Sequence, residues 1–424
     1  MFLEFLNFWL LQSFLCLSKW LNKFTKIFIG YSFYRGWISE KISYENCAHR
    51  MKIAWKGRSS AFASPSQDCF LLFHKSYESP KMIQENDKIT LMSLNEKYLL
   101  FCVTDVNVYD SKFGAFVYSS QFEFIKEVIL VPVEFLHRLA EDLGEPSSNL
   151  ILLSNTGRCG STILTQMLEA CPRTLSMSEA DFLSVVDKIR HNKNLPSSLR
   201  PTGKVLKSLL NIQCKDFKEE KFDHIIIKPR SQSIVFASEI FRVFPKIKHV
   251  YMWREFEPFF RSIRSLGDSF PDFMFRMTVA KFFQKMLRKS IIPDEFKTKE
   301  IDSEIFDLTK NTEKFQIFAI LAALQYLSYL KQRTLVPFHV IKYEKLLSNP
   351  SQEFFKLAEH CGIQEYDIQK VLETLNQDSQ EKSQLSQQKL KSLKKDLADQ
   401  EIEKILDIFA KLGLPHYKDF DMIF

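Results

Sequence analysis

Leu150-Ile151-Leu152-Leu153-Ser154-Asn155-Thr156-Gly157-Arg158-Cys159-Gly160-Ser161-Thr162 is the stretch that decides the fold. Its apolar run reads as a buried strand, its two glycines as a tight turn, and Ser161-Thr162 as the opening of a helix to Cys171. Strand, turn and helix in that order make a phosphate-binding arrangement. Glycine lets the backbone approach an anion, successive N–H groups form a nest, and the helix N-terminus adds partial positive charge. Arg158 brings a planar, permanently charged fork for phosphate or sulfate oxygens, and the hydroxyls of Ser161 and Thr162 add donors. The chain has 424 residues and only 11 glycines against 40 phenylalanines, so two glycines in one turn stand out.

Downstream, apolar runs alternate with amphipathic helices, the pattern of a parallel sheet covered on both faces. Strands are expected at 150–153, 225–227, 249–253 and 338–341. Helices are expected at 161–171, 233–244, 258–266, 313–332 and 353–361, the last closed by Gly362. The fold class is α/β: a three-layer P-loop fold with a central parallel sheet flanked by helices, assigned to residues 148–424. Residues 50–132 carry short apolar segments such as Phe70–Phe73, Tyr98–Val103 and Phe116-Val117-Tyr118 between polar turns. They read as a β-rich accessory region of about six strands. A short helix at 133–143 ends near Gly144, and the Gln-, Ser- and Lys-rich stretch 377–395 reads as a loop leading into a final helix.

The composition is globular, 45% hydrophobic and 26% charged, with a formal charge of +7 that favours anionic partners. No nucleic-acid-binding motif accompanies it. The eight cysteines are scattered, with no CxxC and no Cys/His cluster at zinc spacing, so no metal site is expected. Residues 1–35 form a hydrophobic and amphipathic segment. Phe2–Leu17 is short for a spanning helix, which needs about 20 apolar residues. Phe14, Leu17, Leu21, Phe24 and Phe28 then recur at helical spacing opposite Lys19, Lys23 and Lys26. Membrane association through residues 2–31 is the expectation, with a signal-anchor followed by a basic stem, or a helix packed on the protein itself, as the alternatives. Lysines after the apolar run point to a cytoplasmic location for the remainder.

A Walker A loop would place lysine before Ser161. Gly160 stands there instead, and no strand ends in the aspartate that helps hold magnesium. The loop resembles the 5′-phosphosulfate loop of the sulfotransferase superfamily: a cation, a small residue, Gly, then two hydroxyl residues. Arg254 at the end of the expected 249–253 strand, with Ser262 eight residues on, is similar to the family's 3′-phosphate element. Tyr343-Glu344-Lys345-Leu346-Leu347 resembles its tyrosine–glutamate segment, where the tyrosine lies by the adenine. The three elements come in family order across residues 149–375. The resemblance implies a 3′-phosphoadenosine 5′-phosphosulfate (PAPS) cofactor held by Thr156, Gly157, Arg158, Cys159, Gly160, Ser161, Thr162, Arg254, Ser262 and Tyr343. It further implies sulfuryl transfer to a hydroxyl or amine. Arginine in the first loop looks more like the Golgi carbohydrate and tyrosylprotein branches than the cytosolic one, which implies a Golgi or ER membrane.

The resemblance also implies a catalytic role for Glu179, similar in position to a tyrosylprotein-branch glutamate taken as the base, beside Arg158. The competing reading makes Glu179 part of a cap for a helix at 181–191, with Ser178 as N-cap. Arg254 is open to an ion pair with Glu255 or Glu257, Tyr343 to a core role, and Cys159 reads as a small residue in a crowded turn. Lys228, after an expected strand, is open to a contact with the sulfuryl group or to solvent. The chain departs from the cytosolic branch at Asp378-Ser379-Gln380-Glu381-Lys382-Ser383, where a basic, glycine-containing loop would close the cofactor site. A nucleotide-binding but inactive protein, and a P-loop phosphoryl-transfer enzyme, are the alternatives.

Overall fold

The computed structural model describes residues 43–58, 63–189, 195–269, 314–380 and 397–423. The membrane-associating reading of residues 1–35 therefore lies outside the described residues, as does most of the 377–395 loop. Among the described residues, no helix is long and apolar enough to cross a membrane. The chain divides into two units, Met1–Ser147 with Ala180–Lys221, and Ser148–Glu179 with Phe222–Phe424.

The first unit is built on one antiparallel sheet of β1 (Ala48–Lys56), β2 (Phe70–Glu78), β3 (Ile89–Leu94), β4 (Tyr98–Thr104) and β5 (Ile125–Pro132), in the order β2-β1-β5-β4-β3. Phe70, Met92, Leu100, Cys102, Val128 and Leu130 form a buried cluster on one of its faces, and Leu99, Phe101, Ile129 and Val131 on the other face are also buried. The sequence reading of Phe116-Val117-Tyr118 as a strand is corrected: Val117–Phe124 is a helix, so the sheet has five strands rather than six. Three apolar residues in a row do not distinguish the two periodicities. A long-range contact favours the helix, because buried Gln121 donates to Thr90 Oγ1 (3.0 Å) and to the Leu91 carbonyl (2.9 Å).

Ala180–Lys221, read from sequence as part of the P-loop region, folds with the first unit instead. Helix Thr202–Gln213 packs on helix Leu136–Leu143, and helix Phe182–Ile189 packs on β3. Just beyond, the buried ammonium of Lys215 donates to the carbonyls of Ile83, Asn86 (2.8 Å) and Ile89 (3.3 Å). Apolar helix faces decide this membership, and only their partners, distant in sequence, reveal it.

The second unit has the expected parallel sheet. Its strands are β6 (Asn149–Asn155), β7 (Thr174–Ser178), β8 (His224–Lys228), β9 (Lys248–Trp253) and β10 (Phe338–Lys342), in the order β10-β9-β6-β8-β7. All four pairings are parallel. Strand alternation sorts the core into two layers. Val250 and Met252 face Ile151, Leu164, Met167, Phe354 and Leu357, while Tyr251 and Trp253 face Phe256, Phe260, Tyr326 and Phe409. β7 is absent from the sequence expectation, because its Thr174-Leu175-Ser176-Met177-Ser178 alternates polar with apolar yet is buried throughout.

Parallel pairing brings the carboxyl ends of all five strands to one edge, where Asn155, Ser178, Lys228, Trp253 and Lys342 end their strands. The chain leaves β6 for one side of the sheet and later returns to the other side at β9. The loops after β6 and β9 therefore straddle the point where the winding reverses, the usual ligand crevice of such sheets.

Candidate active site

The loop after β6 is pre-shaped. Gly157, Arg158 and Gly160 all take positive φ, at 75°, 49° and 84°. The Gly157 N–H donates to Asn155 Oδ1 (2.8 Å), and the amide of Asn155 donates to the Pro229 carbonyl (3.3 Å) after β8. On the other side, the Thr156 N–H (3.1 Å) and the Cys159 thiol (3.4 Å) both donate to the Met252 carbonyl of β9. The turn is thus held to β9 at Thr156 and Cys159 and to the segment after β8 at Asn155. A Cβ on Gly160 would sit 2.4 Å from the Tyr343 ring, so only glycine fits there. Cys159 is wholly buried and its thiol is pushed up by burial, so it fills space in the turn and is not a nucleophile. Ser161 and Thr162, both buried, begin helix Ser161–Glu169 as expected.

Arg158 and Arg254 meet at this loop. An Arg254 guanidinium nitrogen (Nη1) donates to the Arg158 carbonyl (3.4 Å), and its plane lies 4.7 Å above the Tyr343 ring. The Tyr326 hydroxyl steadies the strand end by donating to the Arg254 carbonyl (2.7 Å). Among the described residues, Arg254 pairs with Glu344 (3.7 Å) rather than with the Glu255 or Glu257 considered from sequence. Burial pushes the Glu344 carboxyl up from the ordinary carboxylate range. Ser262 lies on helix Phe256–Ser269, and its hydroxyl accepts from Arg158 Nε (3.0 Å) rather than from Arg254. Burial, and then the like charge of Arg254, lower the Arg158 pKa to about 10, which still leaves it charged at neutral pH.

A second cluster lies at the ends of β7 and β8. Lys228 is 2% exposed, and its ammonium reaches Ser178 Oγ (3.1 Å), Glu179 Oε1 (3.2 Å) and Thr162 Oγ1 (3.4 Å). Thr162 therefore joins the phosphate loop to the lysine–glutamate pair. Ser178 is the last residue of β7 and accepts from Lys228, which corrects its reading as the N-cap of the next helix. Glu179 has φ 57° and its N–H donates to the Lys228 carbonyl (2.6 Å), so the backbone turns sharply and presents the carboxylate to the lysine. Lys228 was left open from sequence between a sulfuryl contact and solvent. Its burial argues against solvent, since a lysine is almost never buried unless paired.

Third comes the segment 377–380. Gln380 Oε1 accepts from Arg158 Nη1 (2.9 Å), Gln380 Nε2 donates to Thr162 Oγ1 (3.3 Å), and Gln166 Nε2 donates to the Ser379 carbonyl (3.5 Å). Nothing in the sequence signals this contact. Among the described residues, no group of three or more His, Cys, Asp or Glu could hold a metal ion.

No family model matches the chain, and no curated protein does. Among solved structures, it is similar to the sulfotransferase domain from the curacin biosynthetic pathway, at 13% identity and a TM-score of 0.33. That match covers 64% of this chain and 99% of that one. It is similar to the sulfotransferase from Alicyclobacillus acidocaldarius, at 13% identity and a TM-score of 0.31, covering 64% and 95%. It is also similar to sulfotransferase STF9 from Mycobacterium avium, at 11% identity and a TM-score of 0.34, covering 65% and 80%. All three of these neighbours are named as sulfotransferases.

Proposed function

We propose that the chain is a PAPS-dependent sulfotransferase acting on a hydroxyl or amine of an acceptor. One observation carries the reading. Three cations, Arg158 in the loop after β6, Lys228 at the end of β8 and Arg254 just after β9, gather around the glycine turn and the helix it opens, at the reversal point of the sheet. The site suits a nucleotide with two separate anionic groups, because two guanidiniums lie in each other's field there. PAPS, when bound, supplies the activated sulfuryl group and its leaving nucleotide.

The residues divide the work. Thr156 and Gly157, whose N–H groups bond to the Met252 carbonyl and to Asn155, shape the loop, while Arg158, Cys159, Gly160, Ser161 and Thr162 hold the 5′ end through backbone N–H groups, hydroxyls and the guanidinium. Arg254 and Ser262 take the 3′-phosphate, and Tyr343 lies by the adenine. Lys228 holds positive charge next to Thr162, where negative charge on the transferring group is offset. Glu179 takes the acceptor's proton on its carboxylate, and its pairing with Lys228 keeps that carboxylate turned towards the loop. Membrane association through residues 2–31, at the Golgi or ER, is a further proposal that rests on the sequence pattern and the branch resemblance.

The test is thermal stabilisation of the purified protein by 3′-phosphoadenosine 5′-phosphate against ADP, each with and without magnesium. The first should stabilise far more, because the extra phosphate gains charge-assisted contacts of about 1.5–3 kcal/mol each. Equal stabilisation by both removes the 3′-phosphate site. A preference for ATP with magnesium moves the protein to phosphoryl transfer. Binding without turnover on any acceptor leaves a nucleotide-binding protein.

A further inference from the structure

The Asp378-Ser379-Gln380 turn touches the phosphate loop at the atoms an anion would use. The Gln380 side-chain oxygen, an acceptor like a phosphate oxygen, takes a hydrogen from Arg158 Nη1 (2.9 Å). Its amide nitrogen donates to Thr162 Oγ1 (3.3 Å), a hydroxyl on the first turn of the anion-binding helix. The Asp378 carboxylate lies in the field of Arg158 and also accepts the Gln380 backbone N–H (3.1 Å), which closes the turn on itself. Gln166, one turn further along the same helix, donates to the Ser379 carbonyl (3.5 Å). A neutral amide and a carboxylate thus satisfy part of what the loop would offer a phosphate.

We propose that Asp378–Gln380 is a built-in competitor for the cofactor, a stand-in anion that occupies Arg158 and Thr162 until nucleotide displaces it. The proposal rests on the reading of the loop as a nucleotide site. Its energetics are those of a pre-equilibrium. Only the fraction of molecules with the turn withdrawn binds, so the apparent affinity is the intrinsic affinity reduced by that fraction. Gln380→Ala removes both side-chain hydrogen bonds. Losing both raises nucleotide affinity roughly tenfold or more. Gln380→Glu acts the other way, because a full negative charge on Arg158 strengthens the stand-in.

Calorimetry with 3′-phosphoadenosine 5′-phosphate on the full chain gives the first measurement. Tighter binding by Gln380→Ala and weaker binding by Gln380→Glu than by wild type is the expected result. Unchanged or weaker binding by a folded Gln380→Ala, with wild type binding normally, overturns the competitor and makes Gln380 a bystander or a cofactor ligand. No binding by wild type or either variant overturns the nucleotide site itself, and the competitor with it. Hydrogen exchange supplies a second readout on the wild-type protein. Saturating nucleotide should speed exchange at the Gln380 amide as its bond to Asp378 opens. Slower or unchanged exchange there sinks the proposal whatever the variants do.

Discussion

Gly160 and Gly362 both sit at positive φ, 84° and 73°, yet they face different surroundings. At Gly362 nothing lies within 4 Å of an added Cβ, so Gly362→Ala should cost about 1–2 kcal/mol, the backbone penalty alone. At Gly160 the same methyl meets the Tyr343 ring at 2.4 Å, so Gly160→Ala should lower the melting temperature further and abolish nucleotide binding. Equal melting temperatures for the two variants would show that the loop yields freely. Arg158→Ala should lose both binding and turnover, while Arg158→Lys should retain more of each, because a lysine keeps the loop cation without the fork. Normal binding and turnover by Arg158→Ala would sink the phosphate-loop assignment. Glu179→Gln keeps an oxygen for Lys228, so it should stay folded and bind nucleotide while turnover falls roughly a hundredfold or more. Near-normal turnover in that variant would leave Glu179 only its ion pair. At this scale the sequence was informative where the backbone itself is the signal: two glycines in a turn, and an arginine at a strand end. It was silent on Gln380 and undecided on Lys228, because a side chain's partner 50 or more residues away leaves no local trace.

The pairing of β9 with β10 and helix Pro350–Cys361 places three imidazoles together. His249 is 1% exposed, edge-on to Phe241 and Phe338, and His339 stacks on His360 at 5.1 Å. Among the described residues, neither ring nitrogen of His249 has a hydrogen-bond partner. Burial, helped by the nearby His360, lowers its pKa from 6.5 to about 4. A depressed histidine is neutral in the fold while the unfolded chain takes up a proton, so stability is complete above pH 6.5 and is lost as pH falls towards 4. The loss from His249 alone should approach roughly 3 kcal/mol. Burial depresses His339 and His360 in the same direction. Denaturant melts from pH 7 to pH 4.5 should show the decline, and His249→Phe should flatten part of it. A variant as acid-sensitive as wild type would place the effect elsewhere. Elements of this kind were largely legible: β6, β8, β9 and β10 match short apolar runs in the sequence. Val117–Phe124 escaped because its type is decided by what packs on it rather than by period, and β7 because its alternation runs over only five residues.

The division of the whole molecule was the least legible feature, since Ala180–Lys221 leaves the second unit and joins the first. A fragment spanning residues 148–424, the region its sequence suggests as a domain, therefore carries helices Phe182–Ile189 and Thr202–Gln213 without β3 and helix Leu136–Leu143. It should aggregate or elute as a broad species in size-exclusion chromatography, because buried residues such as Leu206, Leu209 and Leu210 lose partners. A sharp monomer with native nucleotide binding would refute this. Removing residues 1–35, by contrast, should release the protein from membranes and leave nucleotide binding intact; loss of binding would make that segment part of the fold. The interleaving also sets an order of appearance during synthesis. Lys221 leaves the ribosome three residues before His224 opens β8, so every part of the first unit is available before the central sheet gains its third strand. β6 and β7 emerge early but are separated in the sheet by β8, and must wait for it. The nascent chain thus has all of the first unit and only part of the parallel sheet at the same moment, and the edge strand β10 comes more than a hundred residues later.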